Sequence, residues 1–464
     1  MIQNPATSPF EIKNIRLFIY FRLFFNCRLY YPVFTILFLD FGLTIEQFAL
    51  LNVAWAASIV LLEVPSGALA DIIGRKSLLI FAGALMVVEM LLLCLAPKGR
   101  PGVLFLFFLA NRIFSGTAEA AASGADEALA YDSLKAEGQI SDWGRVLEKQ
   151  MRVRAMGFII AMTLGAAVYD PVWMQKVVHW VGLNATITQD LTLRFPLYLT
   201  LIVAIVALIT TLQMREVSDS EDKQCDESDN KRCGISIVEA FKLVLQAGSW
   251  ILQTPFALVI ILTGLVFDNC IRMVMTLTSQ YYRLIHLPEA TFGLIGSAMA
   301  VLGLFIPRIA LKLAQKRTPF FNFGVISILA FLGLLGVTLF LPYIGIIPMV
   351  FLFSVMFLLG FFQSDYLNRI THSKQRATVL SFNALSQNLA YGIFGILYSI
   401  LVATLRSDMT ISDPQGAGQA LDNLVFIKSM EWFPWYFLIT WAVLVILARH
   451  RLRGTDANRP QKAV

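Results

Sequence analysis

Charged side chains are scarce in this sequence, 15% of 464 residues, and the informative ones lie inside long apolar runs. Arg22 and Arg28 share the run 14–39 with Asn26, Tyr30 and Tyr31. Arg112 and Glu119 fall in 103–133, Asp268, Asn269 and Arg272 in 252–284, and Asp365 and Arg369 in 345–369. An arginine in hydrocarbon costs several kcal/mol unless it faces protein or water. Such residues are therefore candidates for holding a solute or moving a proton. Asp268 and Arg272 are spaced i,i+4, as are Asp365 and Arg369, so each pair shares a helical face and can neutralise itself. That spacing suits a packing role as well as a solute or proton role. Glu63, Glu89 and Glu119 are carboxyls in apolar surroundings. Desolvation favours a protonated carboxyl and a nearby guanidinium favours an ionised one, so an acid held between the two influences can load and release a proton. Glu119, seven residues beyond Arg112 and on roughly the same face, is the preferred carrier, followed by Glu63 and Asp268. Arg28, Asn26, Tyr30, Arg112, Asp268, Arg272, Asn383 and Gln387 are the candidate substrate-binding residues. Asn383, Gln387 and Asn388 are uncharged and suit either a cavity wall or a helix–helix bond.

The elements that must position these residues are membrane helices. Hydrophobic residues make up 57% of the chain and the mean hydropathy is +0.68, whereas a soluble domain carries about 25% charged residues. A crossing needs roughly 20 mostly apolar residues. Spans are expected at 14–39, 45–70, 77–97, 103–133, 149–170, 194–213, 252–284, 289–314, 319–342, 345–369, 377–405 and 431–450. Of the 37 Lys and Arg residues, Lys98, Arg100, Lys176, Arg194, Arg283, Arg406 and Lys428 fall in loops on one side, and Arg22, Arg28, Arg112 and Arg272 fall within spans. The remainder lie on the side of both termini, which the positive-inside rule places in the cytosol. This placement accounts for the net charge of +6 without a nucleic-acid partner. Residues 214–248, rich in Asp, Glu and Lys, cannot bury apolar area and read as a cytosolic linker. They divide the chain into an N-terminal six-helix bundle (1–213) and a C-terminal one (249–464). Lys13 and Arg16 precede no small-residue cleavage site, so the first span is expected to stay in the protein. The five cysteines have neither metal-ligand nor disulfide spacing. No Walker sequence and no histidine pair of metalloprotease type occurs, so no cofactor, no metal and no enzymatic activity are expected.

After the second span comes Gly67-Ala-Leu-Ala-Asp71-Ile-Ile-Gly74-Arg75-Lys76. Gly67 permits a close helix approach, and Asp71 can accept charge-assisted hydrogen bonds near a helix N-terminus. Gly74 permits a tight turn. The run resembles the signature of the major facilitator superfamily, Gly-x-x-x-Asp-x-x-Gly-Arg-Lys/Arg between spans two and three. The resemblance implies an all-α fold of about 12 spans in two six-helix bundles and a conformational latch at this loop. Arg112-Ile-Phe-Ser-Gly116 looks like the family's Arg-x-x-x-Gly pattern in span four, where the arginine is associated with proton coupling or substrate charge. Fixing a buried carboxylate is the alternative role for Arg112. The segment Pro65 to Lys76 has a degraded echo at Pro307 to Thr318, with Leu313 in place of the aspartate. The acids Asp126, Glu127 and Asp132, closing span four, are expected to pair with Arg145, Arg152 or Arg154 as part of the same latch.

These features imply a secondary active transporter that moves a small solute by alternating access, with a site near mid-membrane among spans 1, 4, 7 and 10. The embedded arginines favour an anionic or zwitterionic solute, and protons are the expected coupling ion. Other partners are lipid alone, and a monomer in a prokaryotic plasma membrane is expected. A drug/proton antiporter is disfavoured by the lack of a Gly-Pro pair in span five. A solute-binding sensor or scaffold keeps the same motifs, and a lipid-modifying enzyme lacks a catalytic cluster.

Overall fold

The computed structural model describes residues 8–217, 242, 246, 248–371, 373–412 and 418–452. Of Ala68, Asp71, Ile72, residues 373–378 and residues 411–412 the backbone alone is described. Nearly all of the charged linker expected at 214–248 lies outside the described residues. Those residues are almost entirely helical and contain no β-strand. Among the described residues, eleven helical stretches are long and apolar enough to cross a membrane, and they coincide with the second to twelfth expected spans.

The first expected span departs from the pattern. It is two helices, Lys13–Asn26 and Phe34–Phe41, separated by an irregular stretch and a single 3-10 turn, Tyr31–Val33. Pro32 explains the interruption, because it lacks an N–H and disfavours helical geometry at the residue before it. Irregular backbone at membrane depth is tolerated only where protein takes up its polar groups. Here the Leu29 amide donates to Thr200 Oγ1 at 3.0 Å. The Tyr31 and Val33 amides turn back to the Arg28 and Tyr30 carbonyls at 3.1 and 3.2 Å. The Leu29 carbonyl lies against Gly165 of the Trp143–Tyr169 helix so closely that a Cβ there would overlap it.

The chain packs as two compact units, Met1–Val33 with Ala54–Phe241 and Phe34–Val53 with Lys242–Val464. In the first, Pro101–Ala122 packs on Arg75–Leu95, which also packs on Phe195–Gln213. Gly116 brings the first of these helices onto the helix Ile45–Ile73: a Cβ on Gly116 would sit 2.6 Å from the Trp55 carbonyl oxygen and 2.8 Å from Ser58 Cβ. One turn later, Ser66 Oγ donates to the Ala120 carbonyl at 2.7 Å. In the second unit, Pro255–Thr276 lies against Ile346–Ile370, Ser373–Ser412 and Trp432–Arg451. Phe267 packs edge-on to Phe437 and Trp441, with centroids 5.0 and 5.2 Å apart. Phe34–Phe41 joins this unit through Ser279, whose Oγ accepts from the Thr35 and Ile36 amides at 3.0 and 3.1 Å.

Replacing Gly165 with Leu is expected to lower the thermal unfolding midpoint in detergent, since overpacking costs about 1–3 kcal/mol. Gly102→Ala, at a position with open space beside the backbone, should leave the midpoint unchanged. Equal midpoints for the two variants would remove the close approach at Leu29 from the account.

Candidate functional site

The interrupted first span places Arg28 at the break, with 3% of its side chain exposed. Its Nη1 forms an ion pair with Glu89 of Arg75–Leu95, which is fully buried. The same nitrogen lies 3.5 Å from Tyr30 Oη, and the guanidinium carbon lies 5.8 Å from the Phe25 ring centre. Asn111, on Pro101–Ala122, donates to the Glu89 carbonyl at 3.0 Å. Two acceptors there, Glu89 Oε2 and Asn111 Oδ1, are buried and make no hydrogen bond among the described residues.

Arg112, buried in the same helix, has its guanidinium carbon 5.4 Å from the Trp55 ring centre. Glu119 lies two turns further on, as the spacing predicts, and its side chain is exposed. It is near enough to Arg22, Arg28, Arg154 and Glu89 to feel their charges, and Glu63 feels Glu119 in turn. Asn26 bonds back to the Arg22 carbonyl at 2.8 Å. The Arg22 Nη2 meets both Asp126 Oδ1 and Glu127 Oε1 at 2.8 Å. The preferred proton carrier is thus an exposed carboxylate in a mixed field, whereas Arg28 is withdrawn into a neutral pair.

The signature loop differs in detail from the expectation. Gly74 adopts φ +89°, a conformation that glycine permits. Arg75 pairs with Asp132. Beside Gly67 there is open space, so the close approach expected there is not made in this structure. Only the backbone of Asp71 is described, in the last turn of Ile45–Ile73. The acids Asp126 and Glu127 pair with Arg22 rather than with Arg145, Arg152 or Arg154, because the helix Ala125–Ala136 packs against Lys13–Asn26 and Arg75–Leu95. Arg152 pairs one turn back with Glu148, and Arg145 with Asp142 at 2.9 Å. Sequence reasoning missed Glu216. Its carboxylate accepts from the Arg75 and Lys76 amides at 3.0 and 2.8 Å, capping the start of Arg75–Leu95. Asn14 exchanges two hydrogen bonds with the backbone of Arg215, at 2.8 and 2.9 Å, and so holds this strap.

In the second unit Asp268 and Arg272 form the expected pair, Nη2 to Oδ2 at 2.6 Å. The Arg272 Nη1 also donates to Asn388 Oδ1 at 3.0 Å, and its guanidinium carbon lies 5.1 Å from the Tyr391 ring centre. Gln387 donates to Gln363 at 3.0 Å, and Gln363 in turn to the Ile260 carbonyl at 3.3 Å. Asn269 and Asn383 each keep a buried side-chain oxygen with no hydrogen bond among the described residues. The pair Asp365–Arg369, 2.8 Å apart, lies at a more exposed position. Two further clusters were not foreseen. Arg283 grips Asp40 with two parallel bonds of 2.7 Å and reaches Glu289 at 2.6 Å. Arg406 joins Glu46 at 2.5 Å and Asp422 at 2.6 Å. Both fasten residues 34–53 to helices from the far half of the sequence. No local pattern announces a pairing across 243 or 360 positions.

Long apolar helices carrying buried, internally neutralised charges define a polytopic membrane protein. Residues 16–395 match the Major Facilitator Superfamily. The chain belongs to that family. No curated protein matches the sequence. Among solved structures, it is similar to a bacterial homologue of the human lysosomal transporter Spinster in an inward-facing, occupied conformation. That similarity has 15% identity, 96% of this chain and 98% of that one covered, and a TM-score of 0.64. The nucleoside transporter NupG shows 14% identity, coverage of 95% and 99% or more, and a TM-score of 0.64. A D-xylose-proton symporter shows 12%, with 91% and 97% covered and a TM-score of 0.57. At such identities the shared property is the fold.

Glu89→Ala leaves Arg28 buried without its partner and is expected to destabilise the protein by about 3–5 kcal/mol. The double replacement Arg28→Met with Glu89→Leu should recover most of that loss in thermal unfolding. Separately, Glu216→Ala removes a cap worth about 1 kcal/mol. Hydrogen exchange should speed up at the Arg75 and Lys76 amides while the pair at Arg28 is unaffected.

Proposed function

We propose that the chain is a proton-coupled secondary transporter of a small zwitterionic solute, working by alternating access. The observation that carries this reading is the exposed carboxylate of Glu119, embedded two turns from buried Arg112 and in the field of Arg28. A carboxyl so placed exchanges a proton with water, and its affinity for that proton follows the positions of the surrounding charges. Glu63, which feels Glu119, is the second carrier and Asp268 the third.

The solute class follows from how the arginines are held. Arg28 and Arg272 each sit beside a carboxylate, Glu89 and Asp268. A purely anionic solute must compete with that carboxylate and leaves it unpaired, whereas a zwitterion offers a charge to each partner. Tyr30 Oη, 3.5 Å from Arg28, and Asn388 Oδ1, which accepts from Arg272 at 3.0 Å, supply neutral hydrogen-bonding groups beside these pairs. The loop Gly67 to Lys76, with Asp126, Glu127 and Asp132, acts as the conformational latch. The forks at Arg283 and Arg406 fasten the opposite ends of the first two crossings. The distribution of Lys and Arg favours both termini in the cytoplasm.

Purified protein should be stabilised against heat by its solute in a screen of amino acids, betaines and related zwitterions. In proteoliposomes, an imposed pH gradient should then drive accumulation of the hit. The variant Glu119→Gln should keep the thermal stabilisation and lose the gradient-driven accumulation. Accumulation undiminished in that variant would remove Glu119 as the carrier. Stabilisation without flux in the unaltered protein would favour a sensor that binds solute and does not move it.

A further inference from the structure

Between the crossings Trp143–Tyr169 and Gln189–Gln213 lies a ten-residue helix, Pro171–Trp180, for which the transport reading has no use. It is firmly built. Asp170 caps its start, accepting from the Val172 and Trp173 amides at 2.8 and 3.1 Å. Gly182, at φ +82°, closes its end: the Gly182 amide bonds to the His179 carbonyl and the Leu183 amide to the Val178 carbonyl, both at 3.0 Å. This is the paired bonding that terminates helices at a left-handed glycine. Gln175 fastens the following loop onto one side of the helix, donating to the Ala185 carbonyl at 3.0 Å and accepting from the Ile187 amide at 2.7 Å.

The other side is left open, and its composition is unlike that of a solvated surface. Val172, Trp173, Lys176, His179, Trp180 and Leu183 are all exposed, Trp180 at 88%. At 100° per residue the five of these within the helix fall within about one third of its circumference, and Leu183 follows its end. Large apolar side chains interleaved with Lys and His make the pattern of a helix lying in a membrane interface, where tryptophan concentrates and lysine extends to the headgroups.

Depth gives an independent argument. Arg152 and Glu148 form an exposed ion pair that belongs in water or headgroups. From Arg152 to Asp170 the helix rises 18 residues, about 27 Å at 1.5 Å per residue, which does not exceed a hydrocarbon core of about 30 Å. The chain therefore turns at Asp170 before it has cleared the lipid surface, and the next helix begins at headgroup level.

We infer that Pro171–Trp180 lies in the headgroup layer of the bilayer, with Trp173 and Trp180 at the acyl boundary and Lys176 against lipid phosphate. It continues the lipid-facing surface of Trp143–Tyr169 and holds the helix that carries Gly165 at a fixed depth. The inference rests on the chain spanning a membrane and not on any solute.

Spin labels at Trp173→Cys, Trp180→Cys and, as an aqueous control, Asn184→Cys test it. The background replaces Cys27, Cys94, Cys225, Cys233 and Cys270 with Ser, and the protein sits in nanodiscs of phosphatidylcholine and phosphatidylglycerol. Labels at 173 and 180 should collide more with oxygen than with a water-soluble nickel chelate, and the label at 184 should show the reverse. Nickel-dominated collisions at 173 and 180 would place the helix in water, and low values with both reagents would mean a second copy covers it. Either result overturns the inference. Should the cysteine-free protein fail to fold, the unaltered protein can be irradiated with a phospholipid carrying a diazirine near its headgroup. Adducts are expected within 171–183, and adducts confined to the crossing helices would overturn the inference equally.

Discussion

Lipid offers no hydrogen bonds and little solvation for charge, and the first crossing of this chain meets both difficulties at one place. Pro32 ends regular helix in the middle of an apolar run, and Arg28 stands at the interruption. The structure meets the constraint by bringing other helices to the break. Thr200 takes the Leu29 amide, Gly165 makes room for the Leu29 carbonyl, and Glu89 neutralises Arg28. Three separate helices of the first unit are thereby fixed around one stretch of irregular backbone. Their arrangement in turn sets where Arg112 and Glu119 lie.

The same logic recurs in the second unit with different parts. Arg272 is neutralised from its own helix by Asp268 and tied to a second helix through Asn388, with Tyr391 alongside. Arg28, Arg112 and Arg272 each meet a carboxylate or an aromatic ring within their own unit. Among the described residues Glu119 is exposed, and Asn269 and Asn383 each keep a buried side-chain oxygen that makes no hydrogen bond. Membership of the Major Facilitator Superfamily agrees with a membrane transporter.

Hydropathy alone located eleven of the crossings, because an unbroken apolar run of sufficient length has few other uses. It also hid the break in the first span: Pro32 was in plain view, yet the flanking residues are apolar enough to read as continuous helix. The i,i+4 spacing of Asp268 and Arg272 made their pairing legible, since one helix supplies both partners. Pairing between helices was not legible in the same way. Glu89 with Arg28, Glu216 with the Arg75 and Lys76 amides, and Arg283 with Asp40 all depend on which helices become neighbours, and that is decided by packing. The pairing of Asp126 and Glu127 with Arg22, and of Asp132 with Arg75, depends on the same packing. The motif marks Gly67 as a close-contact residue, whereas Gly116 and Gly165 are among the glycines that make tight contacts.

The account stands on embedded polar groups that meet water from each side of the membrane in turn. The most direct measurement places a single cysteine at position 119 in the cysteine-free background and labels it with a charged, impermeant thiol reagent added to one side or the other of sealed vesicles of known orientation. The account predicts labelling from both sides, with the ratio between them shifting when the transported solute is added. Reaction from neither side, or from one side alone under every condition, would contradict it.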